Sequence, residues 1–325
     1  MAIVNLYLQM HQPYRLRHYG AFENHDHYFD HDLNEEITRR VVLRSYRPVT
    51  RLLLDATLRH AGAFRFSLSI TGTLVEQLNA IAPDVLDTLR RLAETGCVEF
   101  LAETYHHNLS GLQSPEFFAQ ELSRHSAMID KNFGQTPVVV RNTELLYNDQ
   151  VAQHIDTSGR YRGVLTEGAD TILAGRPAGR VYVSPCGLPV LLKHHVFSDD
   201  IAFRFGNPNT RPTAAGYAAR VTRSAALPLA QENDPTDQEH PAILRNLFMD
   251  FETFGEHHAA ETGIFDFLAE LPGEILQLQH RFLTPREILD EFDPVDFFAC
   301  PQTISWADEA RDASAWLGND LQKSA

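Results

Sequence analysis

The chain has 325 residues, 43% hydrophobic and 22% charged, enough to bury a large core as one big domain or two ordinary ones. Its 43 acidic and 28 basic residues leave a formal charge of −15, and no Lys/Arg cluster occurs, so nucleic acid is a poor partner and a neutral or cationic ligand a better one. No apolar run approaches the ~18 residues of a membrane span, Met1 to Met10 lack the pattern of a signal peptide, and the scattered Cys97, Cys186 and Cys300 read as reduced thiols. Together these predict a cytoplasmic protein with no membrane partner.

Residues 3–10 read as a buried first strand that stops at His11-Gln12-Pro13, because proline cannot continue the ladder. The loop that follows is rich in His and Tyr, including His25, His27 and His31. Its composition suggests a metal, but no spacing fixes a ligand geometry, and neither a metal nor an organic cofactor is expected. Asn34 is the expected N-cap of a helix carrying Ile37, Val41 and Val42, which Pro48 should kink or divide before Leu52, Leu53 and Ala56. Residues 64–70 alternate as a strand, and a helix with Val85, Leu86, Leu89 and Leu92 stops at Gly96. Next come a strand at 97–102, a helix at 115–133 closed by Gly134, and a strand at 137–142 leading into Glu144. Further strands are expected at 161–165, 181–184 and 190–194, then a helix near 213–224 and an exposed, mobile loop at 227–241. An apolar run from Leu244 to Phe248 forms a strand ending at Asp250, and a helix covers 260–279. Thr284-Pro285-Arg286-Glu287 has the form of a capping box, and the tail from 301 holds Trp306 and Trp316.

Alternation of strands and helices predicts an α/β fold with a mainly parallel sheet, open or closed into a barrel. Function in such folds gathers at the carboxyl ends of the strands. The chemically dense segments, at His11, His107, Glu144, and Asp250 with Glu252, all fall there. Asp250 and Glu252, two apart, should leave their strand on one face, at the edge of a core. Glu144 with Asp250 would supply the two carboxylates that glycoside hydrolysis needs. From position alone, an ion pair of Glu144 with Arg141, or a metal site, stays open.

Five segments resemble glycoside hydrolase family 57, the α-amylase and 4-α-glucanotransferase group. They are His11-Gln12-Pro13; Gly96-Cys97-Val98-Glu99-Phe100-Leu101 with Tyr105-His106-His107; Asn142-Thr143-Glu144-Leu145-Leu146-Tyr147-Asn148; Met249-Asp250-Phe251-Glu252-Thr253-Phe254-Gly255-Glu256-His257; and Ser305-Trp306-Ala307-Asp308 with Asp312 and Ala315-Trp316-Leu317-Gly318-Asn319. They occur in order over nearly the whole chain. The resemblance implies an incomplete, seven-stranded β/α barrel with additional helices over residues 1–299, and a segment, 300–325, that completes the substrate cleft. It also implies retaining double displacement on α-1,4-glucans or maltooligosaccharides. Glu144 matches the nucleophile and Asp250 the general acid/base. Their carboxyls should then lie ~5 to 5.5 Å apart, with the pKa of Asp250 raised. His11, Glu99, His107 and Glu252 match positions lining the sugar site, His257 a wall of the cleft, and Asp312 falls in the last motif as a further substrate-binding position. Trp306 and Trp316 would stack on sugar faces. Plainer readings make His11 the partner of a buried carbonyl and Glu99 a core acid paired with an arginine. In departure from many relatives, the chain ends at Ala325, soon after the last motif. Rival readings are a glucanotransferase or branching enzyme of the same family, a metal-dependent polysaccharide deacetylase on a similar barrel, and a non-catalytic glucan-binding protein.

Overall fold

The computed structural model describes residues 1–20, 22–223 and 243–319; the loop expected at 227–241 lies outside them. The strands are β1 (Ala2–Met10), β2 (Phe66–Ile70), β3 (Val98–Phe100), β4 (Val139–Arg141), β5 (Gly163–Thr166), β6 (Val181–Val183), β7 (Pro189–Leu192), β8 (Ile243–Asp250), β9 (Arg281–Phe282) and β10 (Asp296–Phe297). The helices are α1 (His31–Val41), α2 (Arg47–Arg59), α3 (Gly72–Ile81), α4 (Pro83–Glu94), α5 (Pro115–Phe133), α6 (Asp149–Thr157), α7 (Asp170–Leu173), α8 (His195–Ala202), α9 (Ala214–Val221), α10 (Ile264–Gln277), α11 (Pro285–Glu291) and α12 (Ser314–Leu317). Among the described residues no helix is long and apolar enough to cross a membrane.

All nine residues of β1 are buried, because β2 and β8 flank it in parallel and both of its faces are covered. One five-stranded sheet runs β3-β2-β1-β8 with β9 added to β1, and a second runs β10-β6-β7-β5-β4. Among the described residues every pairing of these strands is parallel except β6 with β7. The ladders thus divide into two sheets, and among the described residues they do not by themselves trace the seven strands of the expected incomplete barrel. A few backbone hydrogen bonds cross between them. Ala102 donates to Val139 at 2.9 Å, Arg141 to Ala102 at 2.8 Å, and His194 to Asn246 at 2.8 Å.

Alternate residues of strands from both sheets fill the space between them. Ile3 and Tyr7 of β1 meet Val139, Leu165, Leu191, Leu244 and Phe248, while Val4, Leu6, Leu8 and Met10 pack against the outer helices. The interior face of β1 becomes polar toward its carboxyl end, where Gln9 donates to Glu103 at 3.0 Å. This gradient puts an apolar floor beneath a charged upper end.

Local signals explain most helix ends. Ser114 caps α5 and Gly134 closes it in the left-handed region at φ +66, and the Thr284–Glu287 capping box forms. Pro48 lies in the first turn of α2, where its missing N–H costs little, and a π-helical turn, Val42–Tyr46, joins α1 to α2. The N-cap of α1 is Asp30, not Asn34. Both are Asx residues, but the buried Asn34 amide instead clamps the backbone of Arg15, accepting from its N–H at 2.8 Å and donating to its carbonyl at 3.2 Å. Helix α3, capped by Thr71, is buried on most sides and so lacks the amphipathic spacing that would announce it.

Glycine is required at position 255, near the strand ends. Gly255 has φ +105, and a Cβ there would lie 1.9 Å from the Arg44 carbonyl oxygen. Gly255→Ala should therefore cost about 2 kcal/mol or more in urea unfolding, through strain and backbone collision together.

Candidate active site

Beyond β4 the chain makes a tight turn in which Glu144 and Leu145 both take left-handed backbone angles, φ 54 and φ 49. Such angles are costly for residues with a Cβ and cluster where a side chain must be aimed. The Asn142 amide braces the turn, accepting from Thr143 N–H at 2.9 Å and donating to the Leu146 carbonyl at 2.8 Å. Thr143 and Thr104 hydroxyls meet at 2.7 Å, tying this turn to the loop after β3.

That loop carries His107, also left-handed at φ 54. Its Nε2 lies 2.8 Å from Glu144 Oε1 and its Nδ1 3.4 Å from Glu103 Oε2. From the other side the Trp306 indole N–H donates to Glu144 Oε2 at 2.8 Å. Both carboxylate oxygens of Glu144 are therefore held. Burial opposes its charge, but the His107 hydrogen bond, the Arg141 guanidinium and the Trp306 N–H prevail and bring its pKa down to about 2. Burial would likewise lower the pKa of His107, yet the bonds to Glu103 and Glu144 raise it. His11 stacks on His107 with ring centroids 4.0 Å apart, and burial together with the charge of His107 lowers it to about 3.

Asp250 ends β8, where it pairs with Gln9 of β1. Its pKa is raised, by burial first and then by the negative charge of Glu144. The two acids that line one cleft are thus pushed in opposite directions, Glu144 toward the ionised form and Asp250 toward the protonated one. The cleft encloses about 200 Å³, with Lys193, Phe203, His257 and Trp306 among the other lining residues.

Of the residues singled out in the sequence, Glu144, Asp250, His257 and Trp306 line this cleft. His107 and His11 buttress Glu144 by hydrogen bond and stacking; the His11 Nδ1 partner is the Thr71 hydroxyl at 2.9 Å, not a carbonyl. Glu252 does not share a face with Asp250. The strand ends at Asp250 and a 3-10 turn, Phe251–Thr253, follows, so the two-residue repeat no longer applies. Glu252 turns instead to the Tyr46 hydroxyl and the His11 N–H, and burial with the charge of Asp250 pushes it up to about 8.

Glu99 lies apart from the cluster, in the middle of β3. It accepts from the Arg286 backbone N–H at 2.8 Å, at the start of α11, and borders a separate hollow with Arg65 and Gln135. It is bonded to the backbone of an arginine, close to the plainer reading, and is not among the residues lining the cleft. Asp312 is exposed and accepts from the Ser314 N–H at 2.7 Å, and Trp316 sits on α12; neither is among the residues lining the cleft. Among the described residues no three His, Cys, Asp or Glu side chains group as metal ligands, the loop histidines included.

Glu103, Arg141 and Lys193 were not singled out as site residues. Glu103 and Arg141 are fully buried, 3.8 Å apart as an ion pair. Each is a charge at the end of an apolar strand, Glu103 after 97–102, Arg141 after Val138 to Val140 and Lys193 after Val190 to Leu192. That position was the available signal.

Two carboxyl groups with opposed pKa shifts, lining one cleft at strand ends of an α/β fold, fit a glycoside hydrolase type of site. The chain belongs to glycosyl hydrolase family 57, whose model matches residues 5–301. It is 36% identical over 334 residues to a protein named "Putative alpha-amylase" from Methanocaldococcus jannaschii, covering 99% of this chain and 67% of that one. Its fold is similar to that of a branching enzyme from Pyrococcus horikoshii, with TM-score 0.71 and 14% identity over 99% of this chain and 76% of the other. It is also similar to that of a 4-alpha-glucanotransferase from Thermococcus litoralis, with TM-score 0.68 and 17% identity. The latter match spans 94% of this chain but only 41% of the glucanotransferase. The protein is a glycoside hydrolase.

Burial pushes Glu99 up to about 7, above its ordinary value near 4.5, so its contribution to stability is full below about pH 4.5 and is lost as pH rises through about 7. Glu99→Gln should remove that loss. Relative to the parent, the variant should gain about 1 kcal/mol or more in unfolding free energy between pH 4.5 and pH 8, with kcat unchanged.

Proposed function

We propose that the protein is a retaining, α-amylase-like hydrolase of α-1,4-glucans or maltooligosaccharides, acting by double displacement. The observation that carries this reading is the placement of Glu144 and Asp250 in one cleft, with their pKa values shifted in opposite directions. Glu144, ionised and held at both oxygens, attacks the anomeric carbon, while Asp250, protonated, gives its proton to the departing glycosidic oxygen. The glycosyl ester on Glu144 is then released by water, from which Asp250 takes a proton. His107 and Trp306 keep the nucleophile aimed and ionised, and His257 and Phe203 shape the walls.

The seven strands β4, β3, β2, β1, β8, β7 and β5 are read as the incomplete barrel, on the strength of the bonds crossing between the sheets. Residues 300–325 are read as the segment that completes the cleft, supported by Trp306 and Ala307 lining it. The family membership and the named relatives support a glucan as substrate.

Incubation with maltotriose and sizing of products tests the reaction. Glucose and maltose alone are expected; longer oligomers would mean transfer to another glucan, and no turnover of any maltooligosaccharide would overturn the proposal. Glu144→Gln should lower kcat by about 10³-fold or more, and full activity would remove Glu144 from its role. Asp250→Asn should fail on natural glucans yet keep much more of its activity on aryl glycosides, whose leaving groups need no proton. In the parent, the acidic limb of kcat/KM should lie far below pH 4, set by Glu144 at about 2, with the alkaline limb following the raised Asp250.

A further inference from the structure

Trp306 reaches Glu144 through more than its indole. Its backbone N–H donates to the Glu144 carbonyl at 3.1 Å, and the Ser305 hydroxyl donates to the same carbonyl at 2.9 Å. One short segment therefore grips the backbone and the carboxylate of the residue assigned as nucleophile. What holds that segment lies six residues on.

Arg311 takes a left-handed backbone angle, φ 52, and its carbonyl accepts from Ser305 N–H at 3.4 Å, so the segment folds back on itself. Its guanidinium reaches Asp199 Oδ2 at 2.9 Å and Glu167 Oε1 at 3.7 Å. Lys193 Nζ takes the other oxygen of each acid, at 3.3 Å from Asp199 Oδ1 and 3.3 Å from Glu167 Oε2. Two cations and two acids alternate in a closed ring of four charges. Glu167 follows β5, Lys193 follows β7 and Asp199 lies on α8, so three elements of the scaffold meet one residue of the C-terminal segment.

Burial decides what such a ring is worth. Glu167 is fully buried and Lys193 only 4% exposed, so removing one member leaves a buried charge uncompensated, which costs far more than an exposed ion pair. The ring also touches the indole. Lys193 Nζ lies 5.2 Å and the Arg141 guanidinium 4.8 Å from the centre of the Trp306 ring, within cation–π range.

We propose that the Arg311–Asp199–Lys193–Glu167 ring is a latch that seats residues 305–311 on the scaffold and, through the Trp306 N–H, fixes the Glu144 carboxylate. Arg311 and Asp199 are positioning residues that act through Trp306. The effect on turnover rests on the nucleophile role of Glu144, whereas the seating of Trp306 does not.

The test uses a Trp316→Phe background, in which Trp306 is the single tryptophan, since the chain has 2. Arg311→Met should make Trp306 emission more sensitive to acrylamide, with a quenching constant raised about twofold or more, and lower kcat about tenfold while KM stays within about threefold. Arg311→Lys, which keeps the charge, should recover part of both. When Trp306→Phe is combined with Arg311→Met, the further loss of kcat should shrink to less than about twofold, because the residue through which the latch acts is gone. Unchanged quenching in Arg311→Met, or a kcat loss that persists in full beside Trp306→Phe, would overturn the latch. If no glucan is turned over at all, the reaction assignment fails while the quenching result still decides the latch by itself.

Discussion

Two N–H groups on one carboxylate organise this protein's site. Glu144 is held at Oε1 by His107 and at Oε2 by Trp306, and each partner comes from a different part of the chain. Partial burial by itself would favour the protonated form of Glu144. It stays ionised because its donors and the buried Arg141 outweigh desolvation. Its charge in turn adds to the burial that raises the pKa of Asp250. The pKa of Glu144 is lowered by His107, Arg141 and Trp306, whereas that of Asp250 is raised by burial first and by the charge of Glu144 second.

Strain is concentrated in the same place. Glu144, Leu145 and His107 all have positive φ without being glycine, and hydrogen bonds around Asn142 and between Thr104 and Thr143 hold those turns. Packing elsewhere supports them, since alternate residues of both sheets make a tight apolar filling beneath the polar end. Gln9, Glu103, Arg141 and His107 form the layer between that filling and the cleft. The layer carries charge without opening to solvent, and this lets a modest number of side chains exert large electrostatic effects.

Much of the fold is legible in the order of residues. The buried run of β1, the span of α5 from its Pro to its Gly134 stop, and the capping box at Thr284 follow from local rules and are present as expected. The cap of α1 shows how such rules mislead. Asp30 and Asn34 are equally good caps by type, and what separates them is that Asn34 is needed by Arg15 across the loop. Glu252 misled for a similar reason, because the alternation of a strand was carried past the residue where the strand stops.

By itself the sequence determined which residues are present to do chemistry, and the alternation that places Glu144 and Asp250 at the ends of parallel strands. Those are local properties, written in spacing and residue type. Only the tertiary structure decided which charges face one another. It took Glu99 away to the start of α11, put Glu103 and Arg141 beneath the site, and joined Arg311 to Lys193 through two acids. Protonation depends on burial and on neighbours a few ångströms away in space, and residues that meet there, such as Glu144 and Trp306, are far apart in the chain.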